Sequence, residues 1–260
     1  MSVEVRNLSF SYGKREVLSN ISFRAEAGEL IAVMGPNGAG KSTLFRCILG
    51  LSPKYDGEIY IGGQEARRIG IAKLARHVAY IPQSHSPVFN FSVFDIVLMG
   101  TTSQVSAVNI PGRKQVDLAN TVLKDLGIED LKHRGYMQIS GGERQLTMIA
   151  RALAQRANIL IMDEPTSNLD YGNQLRILST IKNLTNEGYT IIVSTHNPDH
   201  ALFFSDKVLA LSNGRIVNHG SSVDVISNDL IKQLYDVDVE VKSLYESNVR
   251  FCIPKSVTDT

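Results

Sequence analysis

Thiol chemistry is sparse in this 260-residue chain, which has two cysteines, Cys47 and Cys252. They lie far apart and show no metal-ligand spacing, which argues against a zinc site and points to free thiols in a reducing compartment. Excess charge is missing too. The 27 basic and 26 acidic residues leave a formal net charge of +1, which gives no footing for nucleic acid or an anionic lipid surface. No apolar run approaches the roughly 20 residues that cross a bilayer. The opening residues, Met1-Ser2-Val3-Glu4-Val5-Arg6, alternate like a strand and contain no apolar signal region. Repeats and low-complexity tracts are absent. A soluble protein is expected, so any membrane role must come through a partner. The length suits one large α/β domain or a core with a subdomain, and the 43% hydrophobic content is ordinary for a globular chain.

What is present centres on Gly35-Pro36-Asn37-Gly38-Ala39-Gly40-Lys41-Ser42, which fits G-x-x-x-x-G-K-[ST] at every fixed position. The apolar run Leu30 to Met34 enters it as a buried strand, and Thr43 to Leu49 leaves it as a helix. That strand–loop–helix context is what the pattern requires. Glycines let backbone N–H groups approach a polyphosphate with no Cβ in the way, and the helix N-terminus adds partial positive charge. Lys41 can reach the β- and γ-phosphates, and the Ser42 hydroxyl can ligate Mg²⁺.

Upstream, residues 2–12 and Val17 to Arg24 read as strands. Tyr12 ends the first, either as ordinary strand packing or as an aromatic face for a nucleobase. Downstream, Asp56 to Gly63 is a short strand, and Val78 to Ile81 is another that ends at Pro82-Gln83. Gln83 offers a carbonyl oxygen to a hard cation, or is simply a polar loop residue.

From about Ser86 to Arg156 helical periodicity replaces strand patterns, with a helix after Ser92, a loop over 101–112 and a stripe through Val116, Ala119, Val122, Leu123 and Leu126. That stretch ends in Ile139-Ser140-Gly141-Gly142-Glu143. Ser140 and Glu143 have the spacing of a capping box. The paired glycines cost helix stability, roughly 1 kcal/mol each relative to Ala, which suggests a second helix N-terminus presenting donors to an anion.

Ile159 to Met162 is a fully apolar strand ending in Asp163-Glu164, where ligands bind in open α/β sheets. Asp163 would face Mg²⁺ through water in its hydration shell, and Glu164 would hold the attacking water as general base. Ser167 to Asp170 is a tight turn, and a helix follows over about 172–186. Thr190 to Ser194 is another buried strand with His196 just beyond its end, where it can hydrogen-bond a γ-phosphate and orient the water. A hairpin around Asn213-Gly214, an amphipathic helix through Val223, Ile226, Leu230 and Leu234, and a short extra sheet complete the chain.

Together these segments resemble the ATP-binding-cassette ATPases over nearly the whole length. The matching residues are Gly35–Ser42, Gln83 as the Q-loop glutamine, Ile139–Glu143 as the signature, Ile159–Glu164 as Walker B, Ser167–Asp170 as the D-loop and His196 as the switch histidine. The resemblance implies an α/β P-loop NTPase core with a mostly parallel sheet, an N-terminal antiparallel β-subdomain and an inserted helical subdomain. The implied division is 1–85 and 157–220 for the core, 86–156 for the helical insert and 221–260 for the tail. It favours adenine stacking for Tyr12. It implies ATP held by Gly35, Pro36, Asn37, Gly38, Ala39, Gly40, Lys41, Ser42 and Thr43, and Mg²⁺ held by Ser42, Gln83 and Asp163. Lys41, Glu164 and His196 would act in catalysis. Ser140, Gly141 and Gly142 would close over ATP from a second copy of the chain in a head-to-tail homodimer.

One position departs from the family, whose signature usually reads Leu-Ser-Gly-Gly-Gln; here it is Ile-Ser-Gly-Gly-Glu. A capping box would fold the Glu143 carboxylate back onto its own helix, away from phosphate. Tyr80 to Gln83, Phe91 to Gly100 and Leu234 to Val239 resemble the importer ATPases for iron-siderophore, haem, cobalamin and related metal or oxyanion substrates. That resemblance implies a peripheral protein on the cytoplasmic face of the inner membrane, two copies of a transmembrane permease and an external substrate-binding protein. A soluble, non-transport ATPase is the alternative, but tandem cassettes, a coiled-coil insertion and a basic face are all missing. A nucleotide-dependent scaffold without turnover conflicts with Glu164 and His196.

Overall fold

The computed structural model describes residues 1–83, 89–104, 111–244 and 249–255. The expected 85/86 boundary, half of the 101–112 loop and the end of the 221–260 tail lie outside the described residues. In chain order the elements are β1 (Val3–Tyr12), β2 (Arg15–Ala25), β3 (Leu30–Met34), α1 (Lys41–Ile48), β4 (Asp56–Ile61), β5 (Gln64–Glu65), α2 (Ala66–Ile69), α3 (Ile71–Leu74) and β6 (Val78–Ile81). Then come α4 (Val93–Gly100), α5 (Arg113–Asp125), α6 (Gly141–Ala154), β7 (Ile159–Met162), α7 (Tyr171–Asn186), β8 (Thr190–Thr195) and α8 (Pro198–Phe204). The chain finishes with β9 (Lys207–Ser212), β10 (Arg215–Ser221), α9 (Ser222–Val225), α10 (Asn228–Tyr235), β11 (Val239–Leu244) and β12 (Val249–Pro254).

The central sheet runs β10-β9-β3-β8-β7-β6, parallel except for the β9–β10 hairpin. Its central strands β3, β7 and β8 are buried on both faces, which is why they read as apolar runs, whereas the edge strand β10 is largely exposed. Alternate residues serve different cores, as the twofold strand period dictates. Leu30, Ala32 and Met34 of β3 belong to the core that also takes in α4 to α8, whereas Ile31 and Val33 belong to the one shared with β1, β2 and α1. β7 divides in the same way, with Leu160 and Met162 on one side and Ile159 and Ile161 on the other.

A second, antiparallel sheet, β2-β1-β4-β5, covers the α1 side. β1 is bulged near Asn7, whose φ is +49°. The expected antiparallel N-terminal sheet and mostly parallel core are therefore present.

Two local readings change. The amphipathic stripe from Val223 to Leu234 is two helices, because Ile226 is extended and the Ser227 hydroxyl accepts the Leu230 N–H at 3.2 Å, starting α10 afresh. The first part of the expected 101–112 loop, Thr101–Gln104, is a 3-10 turn. The extra short sheet is the antiparallel pair β11–β12, which packs against α8.

Register decides where the chemistry goes. Met34 pairs with Thr195, Met162 with Val193 and Ile81 with Met162. The residues that follow these strand ends, Gly35, Gln83, Asp163 and His196, therefore emerge at one edge of the sheet, the carboxyl edge at which open α/β folds bind ligands.

Candidate functional site

At that edge lies a cleft of about 820 Å³ lined by Tyr12, Arg15, Val17, Pro36 to Thr43, Gln83, Asp163, Glu164, His196 and Tyr235. Its floor is the N-terminus of α1. A Ser, Asp or Asn side chain caps α4, α6, α7, α8 and α10, but none caps α1, whose N-cap is Gly40 at φ +106°. Its first-turn N–H groups are thus left for an anion. Gly35 has a packing reason as well: a Cβ there would lie 2.1 Å from the Leu211 carbonyl oxygen.

Lys41 is buried in this loop and donates to the carbonyls of Gly35 at 2.6 Å and Pro36 at 3.2 Å. Burial pulls its pKa below the usual lysine value, and the nearby Glu164 and Asp163 carboxylates oppose that pull. Its Nζ stands 4.0 Å from Glu164 Oε1.

The two carboxylates are held differently. Asp163 accepts the Ser42 hydroxyl at 2.7 Å on one oxygen and the Ser194 hydroxyl at 2.6 Å on the other. Ser194 in turn accepts the Glu164 N–H at 2.8 Å. Glu164 sits at φ +46°, a left-handed conformation that costs a non-glycine residue roughly 1–3 kcal/mol and recurs at functional sites. The Gln83 amide donates to Glu164 Oε2 at 3.0 Å, and His196 Nδ1 lies 3.4 Å from the same oxygen. Tyr80 stands beside Asp163, and burial, aided by that charge, pushes its phenol up to about 12.

These contacts fit ATP and Mg²⁺ on their own chemistry. The loop offers backbone donors and one buried amine to phosphate. The Ser42 hydroxyl and Asp163 carboxylate form a pair of hard oxygen donors, the set that Mg²⁺ prefers. Tyr12 lines the cleft, is 49% exposed and stands perpendicular to the Phe10 ring at 4.8 Å.

Ser140, Gly141 and Gly142 do not line this cleft. The capping box is formed: Glu143 Oε2 accepts the Ser140 N–H at 2.7 Å, and the Ser140 hydroxyl accepts the Glu143 N–H at 3.3 Å. The Ser140 N–H, followed by the Ser140 hydroxyl, holds the Glu143 carboxyl below its ordinary value. Gly142 has a local cause that the sequence did not reveal, since a Cβ there would meet Asn173 Oδ1 of α7 at 2.3 Å.

Sequence reasoning missed Arg15, Val17, Ser194 and Tyr235. The signal for Ser194 was a hydroxyl directly after the apolar run Ile191–Val193 and two residues before His196; the others have no pattern of their own.

The family model for ABC transporters matches residues 18–167. An uncharacterized ABC transporter ATP-binding protein of Haemophilus influenzae is 39% identical over 248 residues, covering 95% of this chain and 94% of its own. A petrobactin import ATP-binding protein of Bacillus subtilis is 33% identical, covering 93% and 96%. A solved ABC transporter described as of the metal-chelate type, in an inward-facing conformation, superposes with a TM-score of 0.85 at 28% identity, covering 98% of this chain and 99% of that one. With more than half of its length matched by that model, and a cleft built for a nucleotide's phosphates, this chain belongs to the ATP-binding ATPases of the ABC transporter family.

Proposed function

We propose that the chain hydrolyses ATP to drive a membrane importer for a metal chelate, such as an iron-siderophore, haem or cobalamin, or for a related metal or oxyanion. It works as a homodimer, with two copies of a transmembrane permease, on the cytoplasmic face of the inner membrane. An external binding protein delivers substrate to the permease. The observation that carries hydrolysis is the convergence of Gln83, His196 and Lys41 on Glu164 at 3.0, 3.4 and 4.0 Å. A carboxylate so surrounded, at the end of a phosphate cleft, is placed to take a proton from water as general base. His196 orients that water, and Lys41 steadies charge on the phosphates.

Ser42 and Asp163 would hold Mg²⁺. With its amide nitrogen on Glu164, Gln83 has its carbonyl oxygen to offer the same cation. When bound, Mg²⁺ would neutralise charge on the phosphates. Tyr12 stacks on the adenine. Ser140, Gly141 and Gly142, remote from their own cleft, serve the partner copy's ATP, with Glu143 turned back onto its helix. The import direction is supported by the petrobactin importer and the metal-chelate transporter to which the chain is similar.

Glu164→Gln tests the chemistry. Turnover is expected to fall roughly 10²- to 10⁴-fold with ATP affinity retained, the scale of a positioned base; near-normal hydrolysis removes Glu164 from that role. Affinity purification from membranes tests the setting. Co-purification with a multispanning permease is expected, and recovery without any membrane protein would favour a soluble ATPase.

A further inference from the structure

Gly142 is set apart from the two residues before it. Ser140 and Gly141 are exposed, whereas Gly142 is buried. Its φ is not positive, so backbone conformation does not call for glycine there. What calls for it is α7. A Cβ on Gly142 would lie 2.3 Å from Asn173 Oδ1, 2.6 Å from Cγ and 3.1 Å from Cβ. The tip of a free side chain could swing out of the way, but Asn173 is clamped. Its side-chain amide donates to Asp170 Oδ2 at 2.6 Å, and its backbone N–H donates to Asp170 Oδ1 at 2.9 Å.

The same stretch of chain meets Gly141, where a Cβ would lie 3.2 Å from Leu169 Cδ2. That stretch is a short, bonded path from the catalytic edge. The Glu164 carbonyl accepts the Ser167 N–H at 3.0 Å, the Gln174 side chain donates to the Leu169 carbonyl at 3.0 Å, and Asp170 caps α7. The start of α6 is therefore seated on the turn that leaves Glu164, while neither glycine lines the chain's own cleft. In the proposed dimer Glu164 acts on the chain's own ATP and the signature on its partner's, so this seat lies between the two.

We propose that Asn173 is a positioning residue for the signature: held by Asp170, it seats Gly142 and so sets where Ser140 and Gly141 meet the partner copy's ATP. Position 142 is glycine to admit Asn173, not to admit nucleotide. This rests on the reading that the signature serves a second copy.

Gly142→Ala, Asn173→Ala and the two together test it. Asn173→Ala keeps the backbone N–H that Asp170 accepts, so α7 keeps its cap and only the seat is lost. Turnover and single-chain affinity for Mg-ATP are measured below the melting temperature of every variant. Gly142→Ala is expected to lose roughly 10²-fold in turnover, the scale of a displacement of about 1 Å at a reacting site. Its single-chain affinity is expected to stay, because the residue lies outside that chain's cleft. Asn173→Ala is expected to lose roughly three- to tenfold in turnover, the worth of one side-chain contact, again with affinity kept. The double variant is expected to turn over roughly tenfold faster than Gly142→Ala, since residues in contact are not additive and the shortened side chain makes room for the new methyl. A double variant no faster than Gly142→Ala, even with its melting temperature restored, would show that nucleotide keeps position 142 small and would overturn the proposal. Parent turnover in Asn173→Ala would overturn it too, and that arm stands even where Gly142→Ala does not fold. A Glu164→Gln chain that binds Mg-ATP and stays single would instead overturn the reading beneath it.

Discussion

The Ser194 hydroxyl donates to Asp163 Oδ1 at 2.6 Å while it accepts the Glu164 N–H at 2.8 Å. One buried hydroxyl therefore fixes both carboxylate residues at the end of β7 from the neighbouring strand β8. Ser194→Ala leaves the Glu164 N–H and one Asp163 oxygen unpaired. The expected cost is about 1–3 kcal/mol of stability, read from urea unfolding. Turnover is expected to fall more than ATP affinity, because Glu164 loses its anchor while the phosphate loop keeps its own. A variant with parent stability and parent turnover would show that the bridge is incidental.

The capping box at Ser140 and Glu143 makes a separate prediction. Ser140→Ala is expected to cost about 1 kcal/mol, as for other N-cap truncations. Glu143→Gln restores the usual family residue and can still accept the Ser140 N–H, so only the charge is removed. The Glu143 carboxyl is held below its ordinary value of 4.5 in the folded chain, chiefly by that N–H. Its charge therefore adds stability above the unfolded value, and this is lost as pH falls through the folded value. Thermal melts should show the parent slightly more stable than Glu143→Gln at neutral pH, with the gap closing below about pH 4.

α4 and α6 meet at Gly100, where an added Cβ would lie 2.1 Å from the Arg151 carbonyl oxygen and 3.2 Å from the Ala154 Cβ. The obstructing atom is helix backbone and cannot swing aside. Gly100→Ala is expected to push the two helices apart and cost about 1–3 kcal/mol, the range for overpacking. Gly127→Ala provides the contrast: there a Cβ meets nothing within 4 Å, and only its φ of +66° opposes the change. Comparing the two denaturation midpoints separates steric crowding from backbone strain.

Much of this was legible in the sequence because it rests on local rules. The apolar runs of β3, β7 and β8 announced strands buried on both faces. The Gly35–Ser42 spacing marked the loop between β3 and α1. Ser140 and Glu143 stood at capping distance. What stayed hidden depends on register and tertiary contact. That Gln83 reaches Glu164 across 81 residues follows from β6 pairing with β7, which no local pattern states. Tyr235 enters the cleft only because α10 folds back over it. Gly142 looked like a residue kept small for a ligand, yet Asn173 of α7 already occupies the space a side chain would need. The break at Ile226 was missed because the helical stripe continues through it, and only the Ser227 cap restarts the helix.

The central claim is that one cleft is half a site and the signature of a second copy supplies the rest. The most direct test is the molar mass of Glu164→Gln by light scattering in the presence of Mg-ATP. The account predicts twice the 28.6 kDa chain mass with Mg-ATP and the single-chain mass with Mg-ADP. A single-chain mass at saturating, demonstrably bound Mg-ATP would contradict it.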